Sequence, residues 1–118
     1  MLPVARAMTA QALRLGVKIV ADTDTGYSAR SNRRMADEII ALAEVGLPPM
    51  DAIKAGTSIA AESVGAEKRI GSIRAGYEAD LVAVDRSPLV DIRHIGDVLL
   101  VVNNGKVALN RLEVTPRQ

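Results

Sequence analysis

The sequence predicts an α/β fold, in which a helix–strand–helix–helix half is followed by an all-β half. Three observations predict it. Apolar residues recur at helical spacing on either side of a short β-branched run, glycines punctuate those helical stretches, and Asn104-Gly105 is a strong hairpin signal near the end. At 118 residues the chain fits one small domain. A chain of that size buries roughly 65% of its unfolded surface when it folds alone.

The elements follow in order. From Pro3 to Leu15 the residues Ala5, Met8, Ala12 and Leu15 mark one helix face, and Gly16 is its stop. Val17 to Ala21 is short, β-branched and mostly apolar, the pattern of a buried parallel strand. Asp22 to Asn32 is polar and reads as a loop. A second helix is predicted from Arg33 to Val45, with Met35, Ile39 and Leu42 on one face and Gly46 ending it. Pro49 suits the first turn of a third helix, which runs to Gly65 with Ile53, Ala60 and Val64 on its apolar stripe. Gly56 inside that helix costs about 1 kcal/mol relative to Ala, which close packing against another backbone would offset. After Gly71 come strands at Leu81–Val84 and Asp97–Val102, then a turn at 103–105 into Lys106–Leu109. Helix, buried strand, polar loop and helix in succession make one unit of an α/β barrel or a doubly wound sheet. Both architectures put their chemistry at the C-terminal ends of the strands, which points to Asp22–Tyr27.

Composition narrows the function classes. Phe and Trp are absent and only Tyr27 and Tyr77 are aromatic, so aliphatic side chains and many alanines must fill the interior. Fifteen basic against fourteen acidic residues give a net charge of +1, without the basic surplus or stacking aromatics of a nucleic-acid binder. The cluster Arg30, Arg33, Arg34 precedes Asp37 and Glu38 and reads as a solvated helix start. The absence of cysteine rules out disulfides and thiolate metal sites and fits a reducing cytoplasm. No apolar run approaches the roughly 18 residues of a membrane span, and the first 15 residues lack a signal-peptide core. No Gly-rich turn follows Ala21, which sets aside a dinucleotide site.

Five stretches carry a resemblance: Gly16–Gly26 with its Thr23-Asp24 pair, Glu38–Leu47, Pro49–Ala61, Gly71–Asp85, and Asn104–Val107. In this order and spacing they resemble the amidohydrolase superfamily, above all its imidazolonepropionase-like and Xaa-Pro dipeptidase-like members. The resemblance spans Gly16 to Val107. It implies that the chain is the last βα unit of a (β/α)8 barrel, followed by helices and the C-terminal strands of a small β-sandwich. On that basis residues 1–66 belong to the metal-dependent hydrolase barrel, 67–112 to the sandwich, and 113–118 to a tail.

The resemblance also implies hydrolysis of C–N bonds in a small amide or dipeptide-like substrate, by water activated on one or two divalent metals, with Zn²⁺ expected. Asp24 stands where the family's aspartate ends strand eight, binds metal and accepts a proton from the attacking water; a carboxylate beside a divalent ion suits both tasks. Without its flanking sequence, Asp24 would read as one of the many Asp residues that cap turns. Tyr27 and Arg30 follow it in the loop that would face the barrel mouth, where substrate contact and a surface role are both open.

Departures from the family pattern matter too. Asp22 replaces a residue that is usually small; with strand alternation the two carboxylates would share a face about 6.6 Å apart, and with the strand ending at Ala21 Asp22 would point to water. Pro48 replaces an oxygen-bearing N-cap, worth about 1 kcal/mol, and Ala75 replaces a proline. The family's His-X-His pair, bridging lysine and two later histidines have no counterpart. His94 reads as a surface or interface residue, and Lys18 and Lys54 do not repair the gap. One carboxylate does not make a catalytic zinc site, which needs about three protein ligands. The expectation is therefore a C-terminal fragment that works only with the N-terminal barrel segment or by self-association. The competing reading is a non-catalytic interaction module that kept the fold and lost the chemistry.

Overall fold

Three helices end in the same device, built on Gly16, Gly46 and Gly65. Each glycine adopts a positive φ, and the residue after it returns its N–H to the helix: Val17 to the Ala12 carbonyl, Leu47 to Leu42 and Ala66 to Ala61. Each glycine N–H bonds one position further along, to Leu13, Ala43 and Glu62. This is the six-to-one, five-to-two pattern of the Schellman motif, and it satisfies carbonyls that a helix end otherwise leaves without partners. The structure, a computed structural model, describes residues 2–25 and 34–112.

The first helix, α1, spans Pro3–Arg14 with Pro3 in its first turn, and the second, α2, spans Met35–Glu44. The predicted start at Arg33 lies outside the described residues. Arg34 is instead the N-cap; its N–H donates to the Asp37 carboxylate at 3.2 Å.

The helix expected from Pro49 to Gly65 is two helices, α3 over Pro49–Ala55 and α4 over Ser58–Ser63. The break falls at Gly56-Thr57. Thr57 has φ −131° and ψ −96°, outside the helical region, and its hydroxyl donates to the Ile53 carbonyl at 2.8 Å. Close packing at Gly56 is present, but against a side chain and not a backbone. A Cβ there would lie 2.8 Å from Cδ1 of Ile39 on α2. Pro48 leaves α3 without a side-chain N-cap.

The second half is a three-stranded antiparallel sheet in the order β1 (Leu81–Val84), β2 (Val98–Asn103), β3 (Lys106–Asn110). Leu81 faces Val102 and Leu100 faces Asn110, with irregularities after Ala83 and after Val101. Asn104 and Gly105 both take positive φ, 47° and 78°, as a type I′ turn requires. The turn is pinned from outside: Asn104 N–H donates to the Asp80 carboxylate at 2.7 Å, and Gly105 N–H to the Ala79 carbonyl at 3.0 Å. Between β1 and β2 lies a short 3-10 turn, Ile92–Gly96, which periodicity did not announce. Ile92 and Ile95 from it pack on the core.

That core is small and made of small side chains. Among the described residues Ala21, Ile39, Leu42, Ala52, Ala55 and Ala61 are buried, so alanine supplies four of the six. The expectation from composition holds.

Candidate functional site

The site begins where α1 ends. The cap at Gly16 reverses the chain into segment 17–24, which holds the predicted strand Val17–Ala21. Among the described residues the only sheet is β1–β2–β3, so this segment pairs with no strand. A strand exists only through its neighbours' hydrogen bonds. With none available, apolar burial and helix carbonyls hold the segment instead. Ala21 is 5% exposed and packs in the cluster with Ile39, Leu42, Ala52 and Ala55, with Ile19 alongside. Its N–H donates to the Ala55 carbonyl at 3.0 Å, at the last turn of α3, next to the Gly56 break. Lys18 reaches Glu62 of α4 at 2.7 Å. Both groups are exposed, and such pairs contribute little, about 0–1 kcal/mol.

Beyond Ala21 the segment leaves the core. Asp22 and Asp24 are both exposed. The strand-alternation geometry, with two carboxylates on one face, is not realised. The Asp22 carboxylate folds back onto its own loop, where one oxygen accepts the Thr23 N–H at 2.7 Å and the Asp24 N–H at 3.4 Å. Asp24 has φ +49°, a left-handed backbone. That conformation costs an L-residue about 1–2 kcal/mol, and Asp is among the residues that tolerate it best. Thr25 Oγ1 donates to Thr23 Oγ1 at 2.7 Å and closes the other side of the loop. The sequence named Asp22 as a departure without giving it a task; the available signal was an Asp two residues ahead of a residue forced to positive φ, the spacing of an Asx turn.

The remaining site residues are placed as follows. Tyr27 and Arg30 lie outside the described residues. His94 is on the 3-10 turn, half-buried, with Nδ1 3.2 Å from the Ser87 carbonyl oxygen. Beside it, Arg93 grips Asp91 through two of its side-chain nitrogens, Nε at 3.0 Å and Nη2 at 2.7 Å, and through its backbone N–H at 3.0 Å. Those hydrogen bonds hold the Asp91 carboxyl down to about 2 from its ordinary 3.8. This is an exposed structural pair at the start of the 3-10 turn. Among the described residues no three His, Cys, Asp or Glu side chains gather where a metal ion could be held. Asp24 alone does not fit a catalytic zinc site, which needs about three protein ligands. No described helix is long and apolar enough to cross a membrane.

Comparison with known proteins adds the following. The amidohydrolase family profile matches residues 2–108. Ochratoxinase of Aspergillus niger is 37% identical over 83 residues, which is 70% of this chain and 17% of that enzyme. A 5-methylthioadenosine/S-adenosylhomocysteine deaminase of Thermoanaerobacter pseudethanolicus is 28% identical, over 88% of this chain and 29% of that protein. Among solved structures, a Xaa-Pro dipeptidase with methionine bound in its active site superposes with a TM-score of 0.80 at 31% identity, over 89% of this chain and 25% of that one. The chain thus spans between about a sixth and a third of the length of these relatives.

Proposed function

We infer, from the premise that this chain belongs to the amidohydrolase family, that it carries the aspartate-bearing end of a metal-dependent hydrolase acting on C–N bonds. The observation that supports this best is the seating of Asp24. It stands at the exit of a core-anchored segment, on an exposed loop, inside the stretch that the family profile covers. In this reading segment 17–24 is the eighth strand of a (β/α)8 barrel, residues 1–66 close that barrel, and residues 67–112 complete a β-sandwich. Segment 17–24 lacks sheet partners here because a barrel strand takes them from strands on either side.

Asp24 would contribute one carboxylate to a divalent-metal site, with zinc the expected ion, whose other donors are absent from this chain. A carboxylate in that position also accepts a proton when water attacks an amide carbonyl. A bound metal would supply the polarised carbonyl and the activated water. The substrate class follows from the relatives' names: a small amide or dipeptide-like molecule, in a cytoplasmic setting that the cysteine-free composition suits. The partner is a polypeptide supplying the rest of the barrel, or further copies of this chain.

The experiment is isothermal titration of Zn²⁺ into the purified chain, beside co-expression with an amidohydrolase N-terminal barrel segment, each with native sequence and with Asp24→Asn. The expected result is no stoichiometric zinc binding to the chain alone, and amide hydrolysis by the co-expressed pair that Asp24→Asn abolishes. Tight zinc binding by the isolated chain that Asp24→Asn removes would mean that the chain builds its own site. Hydrolysis unaffected by Asp24→Asn would remove the assigned role.

A further inference from the structure

We propose that Asp22 is a positioning residue for Asp24: its carboxylate holds the backbone that sets where the Asp24 side chain leaves the loop. The proposal rests on the reading of Asp24 as the working carboxylate and goes beyond it, since nothing in that reading needs an acid at position 22.

Three features of the loop support it. The first is that Asp24 adopts φ +49° while glycine, the residue that takes this conformation freely, is absent from positions 22–25. Something must stabilise an unfavourable backbone there. The second is that one Asp22 oxygen accepts both following amides, Thr23 at 2.7 Å and Asp24 at 3.4 Å. No described strand pairs with this segment, so the Asp22 side chain supplies an acceptor for two N–H groups that have no ladder partner. The third is the abrupt change in anchoring: Ala21 is fixed in the core by packing and by the bond to Ala55, and Asp22 is the next residue. The Asp22 side chain therefore extends a rigid anchor by two residues, as far as Asp24. A supporting group of this kind, touching the backbone of a ligand residue and not the metal, fixes ligand orientation.

The chemistry needs an acceptor oxygen at position 22 and does not need the charge. Asparagine keeps an equivalent oxygen; alanine has none. That separates positioning from simple acidity. Nuclear magnetic resonance on the labelled 118-residue chain tests it without catalysis, by comparing native protein, Asp22→Asn and Asp22→Ala. A positive φ brings the amide and α protons of a residue close together and gives a strong intraresidue cross-peak. The expected result is a strong Asp24 cross-peak in native protein and in Asp22→Asn, and its loss in Asp22→Ala, with peaks from the Asn104-Gly105 turn unchanged as an internal standard of folding. An Asp24 cross-peak that survives Asp22→Ala, or that is weak in native protein, overturns the proposal, and so does its equal loss in Asp22→Asn. The measurement reports only the Asp22–Asp24 geometry. The catalytic reading is decided separately by Asp24→Asn in the co-expressed pair, so either can fail alone.

Discussion

Gly71 shows how tightly single positions are set. It lies at φ +85°, where a side chain is strained whatever the space, and a Cβ there would fall 2.7 Å from Ala61 Cβ and 2.8 Å from the Thr57 carbonyl oxygen. Neither neighbour can swing aside, because one is a core methyl and the other is backbone. Gly71→Ala is expected to cost about 2–4 kcal/mol, the strain and the overlap adding. A urea denaturation midpoint within error of the native value would show that the turn is looser than drawn. Asp91 offers a second residue-scale test. Its carboxyl is held at about 2, first by the side-chain bonds from Arg93. A depressed folded-state value means that the stabilisation is complete above 3.8 and is lost as pH falls through about 2. In Arg93→Ala the carboxyl should titrate most of the way back towards 3.8, the retained backbone N–H accounting for the remainder. Carbon-detected titration of Asp91 checks this, and a midpoint still near 2 in the variant would reassign the cause.

Among the elements, what could be read from sequence is what a few adjacent residues decide. Gly16, Gly46 and Gly65 were expected as helix stops and each builds a Schellman cap, since that geometry needs only local hydrogen bonds and one residue free to adopt positive φ. The Asn104-Gly105 hairpin was legible for the same reason, and β1 falls on the four residues expected. Val17–Ala21, expected as a buried parallel strand, has no strand beside it among the described residues; pairing depends on residues elsewhere, and the segment itself says only that it is apolar and extended-prone. The break in the third helix was hidden too. Gly56 in a helical pattern signals a cost, but neither the approach of Ile39 from α2 nor the non-helical backbone of Thr57 is visible in that pattern. At the candidate site, Asp24 was readable as a position through its flanking residues, whereas its left-handed backbone and its support by Asp22 were not.

The whole molecule exposes more surface than its mass warrants. A folded chain of 12.5 kDa is expected to expose about 6,200 Å², and this one exposes 8708 Å². About half of the unfolded surface is buried, in place of the 65% expected of a chain folding alone. Large apolar side chains are among the exposed residues. The helix α1 buries none of its residues, leaving Val4 and Met8 largely exposed along with Leu2 before it, and Val82 and Val107 of the sheet are exposed as well. Surfaces of this kind associate. Sedimentation velocity on the purified chain should show species that grow with concentration, and the double substitution Met8→Lys with Val82→Lys should shift them towards monomer. A native chain that sediments as monomer at every concentration would count against the self-association reading.

The alanine seam has a consequence for how this sequence can drift. Ala21, Ala52 and Ala55 meet where segment 17–24 lies on α3, and Ala52 and Ala55 are 0% and 1% exposed. A core built from leucine or phenylalanine has room to exchange one bulky group for another while conserving volume. One built from methyl groups has almost nowhere to go: every replacement except glycine or serine is larger, and each pushes the segment that carries Asp24 off its seat. Substitutions that keep the chain folded are thus channelled away from the seam and towards α1 and the outer face of the sheet. Over many generations the lineage would keep the floor beneath its aspartate almost unchanged, while its surface wandered.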